Sequence, residues 1–116
     1  MTFPALFGII VGAGMIGQWL LSYFTHQIPE LKTEPIRIGF HLAAELATAM
    51  MLVISGILLL AQIAIARPLF LIASGMLFYT SIVSPGYFAQ RGQWGWLAMF
   101  GSLIIAGVIA IIHVMV

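Results

Sequence analysis

RIGFHLAAELATAMMLVISGILLLAQ, residues 37–62, decides how this chain folds. Beyond Arg37 at its edge, it holds one charged side chain, Glu45, and one histidine, His41. At a rise of about 1.5 Å per residue, a helix of this run outreaches the roughly 30 Å hydrocarbon core of a bilayer. A lone strand there would leave its backbone N–H and C=O groups unpaired in hydrocarbon. The stretch therefore predicts a transmembrane helix.

Working outward, the same signal recurs three times. Upstream, Thr25-His26-Gln27-Ile28-Pro29-Glu30-Leu31-Lys32-Thr33-Glu34-Pro35 is the one substantial polar loop. Before it, residues 3–24 form a first span, with Pro4 tolerated in the opening turn because no helical N–H is lost there. Downstream, Ala64 to Arg67 makes a short connection and a third span covers 68–84, opened by Pro68. Ser84-Pro85-Gly86 is expected to kink or end that helix, since proline removes a backbone donor. Residues 87–93 then read as a turn or interfacial segment, and 94–115 as the fourth span. Four strands cannot close a membrane barrel, so the expected fold is all-α: one membrane domain, an antiparallel bundle of four transmembrane helices.

Composition supports the same solvent. Of 116 residues, 63% are hydrophobic and 6% charged, with a mean hydropathy of +1.18. A soluble domain carries about 25% charged residues to clothe its surface. A net charge of +1 argues against a nucleic-acid partner, which needs a dense basic stripe. The absence of cysteine excludes disulfides and thiolate chemistry. The first span lacks a basic n-region and a clear cleavage site, so it reads as a retained anchor.

Trp19, Tyr23, Tyr87, Trp94 and Trp96 gather towards the face bearing the first and third loops, as an interfacial belt does. That face also carries Lys32, Arg37 and Arg91, against Arg67 and the terminal amine opposite. The positive-inside rule then places both termini outside the cytoplasm.

In lipid, helices associate by close approach and polar links. Gly8 and Gly12 stand at GxxxG spacing, and Ala98, Ser102, Ala106 and Ala110 make a second small-residue stripe. Either stripe can serve the bundle itself, a homo-oligomer or another membrane protein. The lipid bilayer is the expected surrounding partner.

Chemistry narrows to few residues. A charged carboxylate as deep as Glu45 costs about 2.5 kcal/mol or more to insert, so it must be paired, hydrated or neutral. His41 lies four residues earlier on the same face, and Thr48, Ser55 and Gln62 continue the stripe. Topology puts Tyr79, Ser81 and Gln18 on neighbouring helices as further lining, and sends His113 to the far side. Three readings stay open: a hydrogen-bonded structural pair, an ionisable site binding a cation or relaying protons, and a metal site using His41, Glu45 and His26. The last lacks the further ligands a metal requires. No cofactor is expected, and no nucleophile elbow or triad order speaks for an enzyme. The GxGxxG spacing at residues 12–17 follows no strand and lies within a span, so it is no phosphate loop.

Length, four spans and a single membrane glutamate are similar to the small multidrug resistance transporters. In that family the essential carboxylate lies in the first helix, where this chain has no acid, so no substrate or residue carries over. The small fluoride channels share the size without a matching motif. The sequence thus predicts a small membrane transporter or channel centred on Glu45 and His41. The alternative is a non-catalytic membrane subunit or scaffold.

Overall fold

The computed structural model of the chain describes residues 2–25, 30–90, 92 and 94–116, and at residues 30, 31 and 85–88 the backbone alone. Its elements are α1 (Thr2–Phe24), α2 (Glu30–Thr33), α3 (Pro35–Leu60), α4 (Ala66–Gln90) and α5 (Gly95–Met115). The four long helices are each long and apolar enough to cross a membrane, and no strand occurs among the described residues. α1 packs on α3, α3 on α4, α4 on α5, and α5 returns to α1, closing an up-and-down ring. The long axis measures 44 Å, matching a bilayer with its headgroup regions. The outer surface is studded with exposed Ile, Leu and Phe side chains, as a lipid-facing surface requires. This is a multi-pass membrane protein.

Helix starts follow proline. Pro35 occupies the first turn of α3, where its missing N–H costs no bond, and Pro4 and Pro68 do the same in α1 and α4. Pro85 behaves differently. Of the two outcomes expected at Ser84-Pro85-Gly86, a kink or an end, the end is corrected, as is the turn expected from residue 87: the helix runs on to Gln90. Pro85 withholds one hydrogen bond, from the carbonyl of Ser81, whereas ending the helix there would strand four carbonyls at once. In a membrane the smaller loss wins. Residues 30–33 add one helical turn inside the first loop.

The tightest contact lies between α1 and α3. A Cβ on Gly8 would stand 2.7 Å from the Leu52 carbonyl oxygen, and one on Gly12 would stand 2.5 Å from that of Ala49. Gly56 approaches reciprocally, its Cβ position 2.7 Å from the Ala5 carbonyl oxygen. Backbones thus touch where lipid offers no hydrophobic drive and only close contact holds helices together. The Gly8/Gly12 stripe is thereby occupied within the chain. On α5, Ala106 and Ala110 turn inward, but Ala98 and Ser102 stay exposed. Around this contact Phe7, Leu52, Leu59, Phe70, Leu77 and Val114 form an apolar core in the half of the bundle nearest the termini.

The α3–α4 connection carries one strained residue. Gln62 has φ 59°, the left-handed region. Ile63 N–H donates to the Leu58 carbonyl (3.1 Å) and Gln62 N–H to that of Leu59 (3.1 Å), which closes a Schellman cap. Glycine normally fills that position because a Cβ there costs about 1–2 kcal/mol.

Two predictions follow from this geometry. Gly12→Ala forces backbone apart and is expected to destabilise the detergent-solubilised protein by roughly 1–3 kcal/mol. Gly14→Ala, with nothing within 4 Å of its Cβ position, is expected to be neutral or stabilising. Equal melting temperatures for the two would refute the close-contact account. Gln62→Gly is expected to stabilise by about 1 kcal/mol, read as a rise in thermal midpoint.

Candidate functional site

Glu45 lies ten residues into α3, about 15 Å along its axis, and is 5% exposed. The same close contact that joins α1 to α3 determines what surrounds it. Gly12 meets Ala49; in this antiparallel register, two turns further along α1 brings Trp19 level with His41, two turns back along α3. The Trp19 and His41 rings meet edge to face, with centroids 5.8 Å apart and planes at 76°, a favoured aromatic geometry. His41 Nε2 stands 3.7 Å from Glu45 Oε1. That is too long for a hydrogen bond but close enough for an ion pair when the imidazole carries its proton. The Trp19 indole and, from α4, the Ser84 side chain are the carboxyl's other polar neighbours. Arg37 takes no part, because its guanidinium turns to Glu34 at 3.3 Å.

The carboxyl is therefore enclosed by three helices, while the His41 side chain keeps 39% of its surface exposed. The pair spans from the outer surface of the bundle to its interior.

Below Glu45 the seam between α3 and α4 remains polar. With Ser84 set against Glu45, the antiparallel register puts Thr48 level with Ser81, Leu52 with Leu77, Ser55 with Ser74, and Leu59 with Phe70. The steps alternate three and four residues, the spacing of a heptad seam. From Thr48 to Phe70, every one of these side chains is buried. On α3 the hydroxyls spend their protons locally: Thr48 donates to the Ala44 carbonyl (2.8 Å) and Ser55 to that of Leu52 (3.2 Å). On α4, Ser74 and Ser81 are buried with no hydrogen-bond partner.

The residues singled out from the sequence divide. His41 and Glu45 come together, and Ser81 lies on the same seam one turn below Ser84. Tyr79 does not join them: it is 70% exposed on the outside of α4. Two residues along a helix correspond to a rotation of about 200°, so Tyr79 and Ser81 cannot share a face. Gln18 is spent on its own helix, with Nε2 donating to Ser22 Oγ at 3.3 Å. Gln62 leaves the polar stripe for the exposed cap. His113 sits at the opposite end beside Phe3. His26 lies outside the described residues, and among those described no three His, Cys, Asp or Glu side chains converge as metal ligands. Trp19 was not singled out as a lining residue. Trp19 falls on the Gly8/Gly12 face of α1, which is the signal that could have found it.

Neither a curated protein nor a solved structure matches the chain. One family does, along residues 1–116, and the chain accordingly belongs to the family described as Domain of unknown function (DUF8058).

Proposed function

We propose that this protein moves a small cation across the membrane as a transporter or channel, with Glu45 as its ionisable centre and His41 as the group that exchanges with the membrane surface. The observation that carries this reading is the enclosure of Glu45 by α1, α3 and α4 beside a half-exposed histidine. A membrane carboxylate serving only as glue needs no imidazole neighbour open to the outside, whereas intramembrane ionisable residues mark ion and proton paths. Lys32 and Arg37 border the same end, so the positive-inside rule orients it to the cytoplasm and the termini away from it.

Proteoliposomes holding a pH-sensitive dye, driven by a potassium diffusion potential, test this reading. The wild type is expected to acidify the lumen, Glu45→Gln to fall to the level of empty liposomes, and His41→Ala to slow without abolishing uptake. Uptake unchanged in Glu45→Gln would remove Glu45 from the role.

A second reading has its own observation. Ala98 and Ser102 are small, exposed and one turn apart on α5, a surface that admits another membrane helix, from a second copy or a different subunit. Ser102→Leu is then expected to abolish cross-linked dimers in native membranes, while Glu45→Gln leaves them intact. Unchanged cross-linking in Ser102→Leu counts against that surface.

A further inference from the structure

The two unpartnered hydroxyls on α4 have a consistent relation to α3. Ser74 and Ser81 are 0% and 1% exposed, and neither Oγ has a hydrogen-bond partner. Leaving a hydroxyl unpaired in such surroundings is costly. Counted along the antiparallel helices from Glu45 and Ser84, each falls at the level of an α3 hydroxyl, Ser81 at that of Thr48 and Ser74 at that of Ser55. Those α3 hydroxyls donate to their own helix and so keep oxygen lone pairs free. The two sides are complementary, donors on α4 and acceptors on α3, and no direct hydrogen bond joins them. A water molecule between such a donor and acceptor satisfies both.

We propose that the seam between α3 and α4 is a hydrated proton path running from Glu45 past Thr48 and Ser81 to Ser55 and Ser74. It rests on Glu45 as the ionisable centre and names the proton as the cation moved. Ser81 and Ser74 each accept a proton on the hydroxyl oxygen and release their own to the next water, while Thr48 and Ser55, whose protons are held by their own helix, accept from the intervening waters and keep them in place. The path covers ten residues of α3, about 15 Å, and so enters the apolar half of the bundle. Leu52 and Leu77 cross it as one apolar layer, a constriction that restricts larger hydrated ions. Beyond Ser55 and Ser74, Leu59 and Phe70 form a second layer, and Leu59 also borders a cleft lined by Gln62 and Arg67 at the far surface.

The chain contains no cysteine, so substituted thiols report without background. Ser81→Cys, Ser74→Cys and the lipid-facing Tyr79→Cys are exposed in membranes to a small water-soluble methanethiosulfonate, which reacts with hydrated thiolates. Labelling of both serine positions, with Tyr79→Cys unlabelled, is the expected result. Failure of both to label in the folded protein, with labelling after denaturation, overturns the path. Labelling of Ser81→Cys alone overturns it as well, because water would then stop at the Leu52 and Leu77 layer.

Thermal midpoints supply a second reading that does not depend on labelling. If water bridges the pairs, Ser74→Ala and Ser81→Ala each break hydrogen bonds and lower the midpoint. If the hydroxyls are dry and unpaired, removing them raises it, and the path is overturned. Neither measurement depends on flux. A dry seam alongside Glu45-dependent proton uptake therefore rejects the path and leaves the role of Glu45 standing. A wet seam without Glu45-dependent uptake rejects both.

Discussion

Contact between the backbones of α1 and α3 governs the rest of this bundle. In water, burial of apolar surface would draw the helices together whatever their detailed shape. In lipid that drive is absent, and association depends on how closely main chains can approach. Gly8, Gly12 and Gly56 permit that approach, with carbonyl oxygens lying where a Cβ would otherwise be. Because the contact involves backbone on both sides, it sets the register of α1 against α3 within a fraction of a turn. Trp19 reaches His41 as a consequence of that register.

The polar centre is built outward from there. Glu45 is held in place by neighbours from three helices, so its surroundings reflect the whole bundle rather than α3 alone. The α3–α4 seam repeats on a heptad spacing, but with hydroxyl layers where a soluble bundle would carry leucine. Core leucines and phenylalanines concentrate in the half of the bundle nearest the termini and supply its rigidity. The polar groups around Glu45 lie in the other half, and the seam carries buried hydroxyls from there into the first. That division separates the part that holds the bundle together from the part able to do chemistry.

Continuation of α4 through Pro85 belongs to the same economy of hydrogen bonds. A soluble helix ends at such a proline because water donates hydrogen bonds to the released carbonyls. Here the alternative is hydrocarbon, and one lost bond is the smaller defect. Local rules learned in water misplace the end of α4 for this reason.

The sequence by itself determined the solvent, the number of spans and the leaflet in which the ionisable groups collect. Those are properties of run length and charge count, which can be read along one dimension: residues 37–62 need no partner to be recognised as a span. The pairing of His41 with Glu45 was legible too, because four residues on one helix is a local relation. Only the tertiary structure decided that Trp19 and Ser84, rather than Tyr79 and Gln18, stand at the carboxyl. It also decided that Ser74 and Ser81 are buried without partners. Those outcomes depend on the rotation and register of one helix against another. For Trp19 they arise from backbone contact at Gly8, Gly12 and Gly56, two of them on another helix, and no local pattern around Glu45 encodes that contact.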